Sequence, residues 1–144
     1  MTDQELRQYL QERFPKENEA VDWKNWQSLH QNLTGRSGAD AASYISAIAN
    51  MEGGHLVIGV DDTFQVVGIQ DLDTYTAESA KPRILGKCHN LPSEGFEISE
   101  YITDDTSQRV WIIDIPKHLP RRPVTAHDKA WQRLGDSLVE MRPE

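Results

Sequence analysis

The sequence has 144 residues but only one cysteine, Cys88, and no long apolar run. A single cysteine excludes an internal disulfide and a cysteine-rich zinc site. Because no stretch of 18 apolar residues occurs, the sequence predicts no membrane span. Residues 1–14 are polar and lack the apolar stretch of a signal peptide, which favours a cytoplasmic location.

Several catalytic motifs are also missing. The dipeptide Gly86-Lys87 is followed by Cys88 and lacks the upstream glycine of a phosphate-binding loop. Neither a G-x-S-x-G turn nor a dinucleotide-binding glycine pattern after a strand occurs. The five histidines have no metal-ligand spacing. The sequence therefore argues against a nucleotide-hydrolysing loop, a serine hydrolase and a histidine-based metal centre.

Acidic residues outnumber basic residues over the whole chain. The net charge of −8 argues against an indiscriminate polyanion binder, because the overall field repels phosphates. The cations are nevertheless concentrated near the C-terminus, where only Asp128 opposes them. They are Lys117, Arg121, Arg122, Lys129 and Arg133. This basic stretch predicts local phosphate contacts, and an ordinary solvated face is the alternative.

The hydrophobic pattern predicts an α+β domain. Leu6, Leu10 and Phe14 recur every four residues and predict a helix over residues 2–14, which Pro15 ends. A second helix is predicted from a cap at Ser37 to Gly53. A third is predicted from a cap at Asp71 or Asp73 toward Asn90, with Pro82 kinking it or starting a new first turn. Strands are predicted at residues 20–24, 55–60, 65–69, 96–103, 109–115, 130–134 and 137–141.

These elements predict one domain over residues 1–144, with its core at residues 17–141. We expect a mixed sheet of about five to six strands packed with two to three helices. The ending at residues 142–144 indicates one domain of a longer chain.

Residues 47–62 are the most informative segment. They read as a helix end, a glycine break, a buried strand and an acidic turn, with no residues between these elements. Gly53-Gly54 is typical of a helix stop. We interpret Asn50, Gly53, Gly54 and Gly59 as a structural motif that ends the helix and packs it against the strand.

This motif resembles that of the Schlafen AlbA-type domain, a DNA-binding module of bacterial regulators and Schlafen proteins. Members have an acidic residue and lysine on an early strand, a helix ending in A-N-x-x-G-G, a G-V-D-D turn and a V-x-G-I strand. An aromatic, an arginine and a glycine-serine pair follow. The matching segments are Asp22-Trp23-Lys24, Ala49-Asn50-Met51-Glu52-Gly53-Gly54, Ile58-Gly59-Val60-Asp61-Asp62, Val67-Gly68-Ile69 and Trp131-Gln132-Arg133-Leu134-Gly135-Asp136-Ser137. Two departures are Asp-Trp before Lys24, where the family usually has Glu-Phe, and the inserted Asp136.

The resemblance implies a nucleic-acid-binding, regulatory function without a cofactor, with DNA favoured over RNA and a homodimer by analogy with relatives. The phosphate contacts would come from Arg121, Arg122, Lys129 and Arg133. Trp131 is the tryptophan that we expect to be exposed, and it would stack on a base.

Two alternatives remain open. Some Schlafen relatives cut RNA with three carboxylates, and the matching positions here are Glu17, Asp22 and Asp62. Such carboxylates would hold Mg²⁺ or Mn²⁺ and activate water. The five-residue spacing from Glu17 to Asp22 requires a bend in the chain, because a straight strand would place them on opposite faces. The other alternative is an interaction or oligomerisation domain without a nucleic-acid role, which the net charge supports.

Overall fold

The computed structural model describes residues 1–17, 20–29, 32–70, 76–134 and 137–141. Within these ranges the chain forms three helices and eight strands. In order they are α1 (Asp3–Arg13), β1 (Val21–Lys24), α2 (Ala41–Met51), β2 (Gly54–Ile58), α3 (Ala77–Lys87), β3 (Cys88–His89), β4 (Glu97–Ile102), β5 (Arg109–Ile115), β6 (Thr125–Ala126), β7 (Lys129–Leu134) and β8 (Ser137–Glu140). None of the helices described is long and apolar enough to cross a membrane.

The strands form two sheets of four. The first has the order β1-β2-β5-β4, with β1 and β2 parallel and the other pairs antiparallel. The second has the order β3-β6-β7-β8 and is antiparallel throughout. The α+β class and the mixed sheet are confirmed, but there are two sheets in place of one. The sequence missed β3 and β6, because two-residue strands are too short to show a period of two.

Helix α2 lies between the two sheets. It contacts β2 and β5 of the first sheet and β6, β7 and β8 of the second. Its residues are small or apolar almost all round, and most of them are buried in the main core with Trp111 and Phe96. Helix α1 covers the other face of the first sheet, where Leu6, Leu10 and Phe14 form the predicted buried stripe.

The caps explain where the helices begin. Thr2 and Glu5 form the predicted capping box, with Thr2 Oγ1 accepting from the Glu5 N–H at 3.2 Å. The predicted cap of α2 at Ser37 is wrong, because Asp40 caps this helix and its Oδ1 accepts from the Ser43 N–H at 2.9 Å. Asp40 also accepts from the Arg36 N–H, which holds the preceding residues in a turn.

Two other segments differ from expectation. Residues 65–69 form no strand; they make one bridge between Val60 and Val66, because the N–H groups of Val67 and Gly68 both donate to Gly59 O. Helix α3 is capped by Thr76 and contains Pro82 in its interior. The predicted caps Asp71 and Asp73 lie outside the described residues.

Candidate functional site

Asn50 joins α2 to the second sheet. Its Nδ2 donates to Val124 O at 2.9 Å and to Trp131 O at 2.8 Å, and its Oδ1 accepts from the Val124 N–H at 2.7 Å. One amide therefore satisfies three backbone groups that no strand pairing serves. The sequence motif marked Asn50 but did not reveal these partners, which lie more than 70 residues away.

The glycines of the motif allow close backbone contacts. The Gly53 N–H donates to Ile48 O at 3.0 Å, and φ is 76° at Gly53, which ends the helix in the left-handed region. A Cβ at Gly54 would overlap Ala20 O, and one at Gly59 would lie 3.0 Å from Arg109 O. Helix termination and close packing therefore explain why glycine occupies positions 53, 54 and 59.

A cluster of charged side chains lies between the first sheet and β7. Asp22 and Arg133 both have fully buried side chains, and Arg133 Nη2 is 3.6 Å from Asp22 Oδ2. Lys24 Nζ lies 3.7 Å from the same oxygen and 4.9 Å from the centre of the Tyr44 ring. Arg133 Nη1 also donates to Val21 O at 3.2 Å, so this arginine links β7 to β1.

Glu17 completes this cluster. Partial burial and the neighbouring Asp22 carboxylate raise the pKa of Glu17 to about 7. Burial also raises the pKa of Asp22, while the charges of Lys24 and Arg133 oppose that shift. The structure therefore brings Glu17 and Asp22 together, as the bend required by their spacing predicts.

Glu17 makes stability depend on pH. Its pKa rises on folding from an ordinary value of 4.5, so the folded protein retains a proton that the unfolded chain releases. The contribution of Glu17 to the free energy of unfolding therefore falls as pH rises from about 4.5 to 7, and is flat above. We expect Glu17→Gln to remove this fall and to add about 1 kcal/mol at pH 8, a value reduced for solvent screening. Urea unfolding at pH 5 and pH 8 measures the free energy of unfolding of the variant and of the unmodified protein. The exposed Glu94→Gln is the control, and an equal gain at both pH values would contradict the assignment.

The three carboxylates proposed for a nuclease do not fit a metal ion. Asp62 is exposed in the turn after β2 and does not join Glu17 and Asp22. Within the described ranges, no three His, Cys, Asp or Glu side chains are arranged to hold a metal. Lys24 and Arg133 also place positive charge against Asp22, where it would repel a cation.

Two of the predicted nucleic-acid contacts are buried. Trp131 is 8% exposed and its Nε1 donates to Ala126 O at 3.0 Å, so the expectation that it is exposed is wrong. Arg133 is 2% exposed and faces Asp22. The reason is the two-residue period of β7, which places both on the face that α2 covers.

The other predicted contacts are exposed. Arg121 and Arg122 lie in a turn closed by the Arg122 N–H donating to Leu119 O at 3.1 Å. Neither arginine makes an ion pair with any residue that the structure describes. Lys129 is exposed, with its Nζ 4.0 Å from Glu140 Oε2.

These cations lie around strands β3, β6 and β7 of the second sheet. The register places Cys88 opposite Ala126, which in turn pairs with Lys129. Asn90, just after β3, donates to Pro123 O next to Arg122 at 3.2 Å. Lys87 precedes β3 and was not predicted. We name the set Lys87, Arg121, Arg122 and Lys129 the basic edge.

A cavity of about 290 Å³ lies where β1 and β2 end. Trp26 in its wall is 4% exposed, and its indole N–H has no hydrogen-bond partner among the described residues. An unsatisfied buried donor costs about 1–3 kcal/mol. No sequence signal predicted this cavity, because three separate segments build it. The lining residues are Asn25, Trp26, Gln27, Asp61, Val67, Gly68 and Gln70.

The architecture defines an α+β domain in which one helix is held between two sheets by an asparagine and paired glycines. The sequence matches the family model described as Schlafen, AlbA_2 over residues 17–142. The chain therefore belongs to the Schlafen AlbA_2 family, and the resemblance seen in the sequence is confirmed.

One solved structure shares this fold at low sequence identity, and a second is reported for comparison. The DIP2311 protein from Corynebacterium diphtheriae is 19% identical with a TM-score of 0.60, over 85% of this chain and 22% of that protein. This chain thus spans about a fifth of that protein's length. The N-terminal domain of a RecG-related protein from Nitrosomonas europaea is 16% identical with a TM-score of 0.45, over 100% of this chain and 95% of that one. A comparison with curated proteins gave no significant match.

Proposed function

We propose that this domain binds nucleic acid, with DNA preferred, through the phosphates that its basic edge contacts. The observation that carries the proposal is the exposure of Arg121 and Arg122 without an ion pair to any described carboxylate. An arginine in this state keeps its full charge and its forked donors for phosphate oxygens. Family membership supports the same ligand class, and a role in transcriptional regulation within a longer chain belongs to this proposal.

The overall charge sets how such binding must behave. A net charge of −8 repels a polyanion at long range, so attraction acts only close to the basic edge. Four phosphates neutralised by the basic edge give a slope of about −3.6 for log K against log salt on duplex DNA. We expect measurable binding at low salt and a steep loss above it.

The double variant Arg121→Gln, Arg122→Gln tests the proposal. We expect the salt slope to fall to about −1.8, because two of four phosphate contacts are lost. Fluorescence anisotropy with labelled duplex DNA, single-stranded DNA and tRNA at several salt concentrations measures this. Light scattering on the same samples shows whether a homodimer brings two basic edges to one ligand.

A matched control removes two cations that already have partners. Arg13 lies 3.6 Å from Asp114, and Lys81 lies 3.0 Å from Glu97. The variant Arg13→Gln, Lys81→Gln changes the net charge equally and should leave the slope near its original value. A flat salt response of the unmodified protein, or an equal loss in both variants, would contradict the proposal.

The alternatives predict different results in the same samples. Our proposal expects RNA to remain intact after long incubation with Mg²⁺ or Mn²⁺. Cleavage that Asp62→Ala abolishes would replace it with the nuclease alternative. A stable oligomer that binds neither DNA nor RNA would support an interaction domain instead.

A further inference from the structure

The segment between β5 and β6 is anchored at both ends on one helix. The His118 N–H donates to Ala49 O at 3.0 Å, and the Val124 N–H donates to Asn50 Oδ1 at 2.7 Å. The two anchors are therefore adjacent residues in the last turn of α2. Between them, residues 119–123 are all exposed. The segment is thus fixed at its base by α2, while its tip meets solvent.

The tip of this segment is a tight four-residue turn. The Arg122 N–H donates to Leu119 O at 3.1 Å, and the same two residues form an isolated bridge. Pro120 takes the second position, where its ring holds φ near about −65°. Arg121 takes the third position, with φ at 61°. This fits a type II turn, and we name residues 119–122 the arginine turn.

Arg121 has a backbone conformation that suits another residue type. The third position of a type II turn usually holds glycine or asparagine, because a Cβ in the left-handed region is unfavourable. The Arg121 side chain is exposed and makes no ion pair with any described residue, so it gives the fold nothing in return. Residues held in such conformations concentrate at ligand-binding sites. A ligand therefore explains this arginine better than folding does.

The described helices offer no cationic face for the major groove of DNA, which a helix can enter. Helix α2 has no charged residue, and α1 has more acidic than basic residues. On α3, Lys81 Nζ lies 3.0 Å from Glu97 Oε1, and Arg83 Nε donates to Thr34 Oγ1 at 3.4 Å. Only Lys87, at the end of α3, is left. A narrow turn with an arginine at its tip suits the minor groove instead, which is only about 6 Å wide.

The chemistry of the arginine turn agrees with the minor groove of A·T-rich DNA. That groove is narrow and strongly negative, and it attracts arginine. Such a local field matters for a protein whose net charge of −8 repels DNA elsewhere. Leu119 is 48% exposed and lies across the turn from Arg122. Minor-groove proteins combine exposed apolar side chains with arginines in this way.

We infer that the arginine turn enters the minor groove of duplex DNA, where the Arg121 guanidinium donates to the acceptor atoms of A·T pairs. G·C pairs place the guanine amino group in this groove, and that donor opposes an arginine. The inference rests on the proposed function for the class of ligand and adds a groove and a base preference. A guanidinium between the two rows of phosphates still displaces counterions, so the salt slope expected for the basic edge is unchanged.

Three duplexes of equal length test the groove assignment. One is A·T-rich, one is G·C-rich, and the third has inosine in place of every guanine of the second. Inosine lacks the amino group in the minor groove and keeps the major-groove acceptors of guanine. We expect the A·T and inosine duplexes to bind about tenfold more tightly than the G·C duplex in fluorescence anisotropy at one low salt concentration.

The variant Arg121→Gly separates ligand binding from folding. Glycine favours a φ of 61°, so urea unfolding should show a protein at least as stable as the unmodified one. The same variant should bind the three duplexes alike. Arg122→Gln is the matched control for charge, and it should weaken binding to all three duplexes while keeping the preference. Ser107→Gly relieves a similar φ of 53° without changing a charge, and it should leave all binding unchanged.

The outcomes distinguish this inference from the proposed function. Equal binding of the three duplexes, an inosine duplex that behaves like the G·C duplex, or a preference that Arg121→Gly retains would overturn the groove assignment. In each of these cases, salt-dependent binding to all duplexes would still support the basic edge. Equal loss of the preference in Arg121→Gly and Arg122→Gln would also count against the special role of Arg121. Absence of binding to every duplex would overturn the proposed function and this inference together.

Discussion

Gly54→Ala should destabilise the domain by more than about 4 kcal/mol, enough to leave much of the protein unfolded. The added Cβ would overlap the Ala20 carbonyl, which is rigid backbone at the start of β1. The φ of Gly54 is 151°, a conformation that alanine rarely adopts, so rotation cannot relieve the overlap. Urea unfolding followed by circular dichroism measures the loss.

Gly86→Ala is the control for this substitution. Gly86 lies within α3, and a Cβ there would meet no atom within 4 Å. Alanine should therefore stabilise the helix by about 0.5–1 kcal/mol. A similar loss at both glycines, or a fully folded Gly54→Ala protein, would contradict the close approach of β2 to Ala20.

Asn50→Ala is expected to cost about 2 kcal/mol or more. The change leaves the Trp131 carbonyl and the Val124 N–H, in the partly buried joint between α2 and the second sheet, without their partner, whereas Val124 O keeps the Ser46 hydroxyl as a donor. Each unsatisfied buried group costs about 1–3 kcal/mol. The same urea titration measures it, as a lower midpoint with little change in slope.

Asn90→Gly provides the comparison for Asn50. Asn90 is exposed, makes one side-chain bond to Pro123 O and has a φ of 68° that glycine tolerates. Its loss should stay below about 1 kcal/mol. If the two asparagine variants were equally stable, Asn50 would not be the joint between α2 and the second sheet.

The buried cluster of Glu17, Asp22, Lys24 and Arg133 changes which cations of the basic stretch can contact phosphates. Arg133 pairs with Asp22 and donates to the carbonyl of Val21, so it helps to link the two sheets. The phosphate contacts are therefore left to exposed residues. Lys87 replaces Arg133 as the fourth cation of the basic edge, because the pairing of β3 with β6 brings the end of α3 beside β6. The basic edge is consequently made of two chain segments.

Local sequence patterns predicted those structural features that depend on residues close together in the chain. The Thr2 capping box follows from residues three apart, and the stripe of Leu6 and Leu10 follows from helical spacing. Strand β5 was predicted with its exact bounds, Arg109–Ile115, because an almost unbroken apolar run is typical of a buried strand. The predicted strand at residues 65–69 failed, because the glycines redirect its hydrogen bonds to Gly59 O.

The amino-acid sequence by itself determined the α+β class, the family motif and the helix stop at the paired glycines, since these depend on periodicity and on backbone conformations that few residue types adopt. Only the tertiary structure decided which cations meet solvent, which carboxylates meet one another and where a cavity opens. Those properties depend on which face of a strand a helix covers and on contacts between residues far apart in the chain. Trp131 and Arg133 show the difference: their neighbours in sequence indicated a surface, and the packing of α2 buried them.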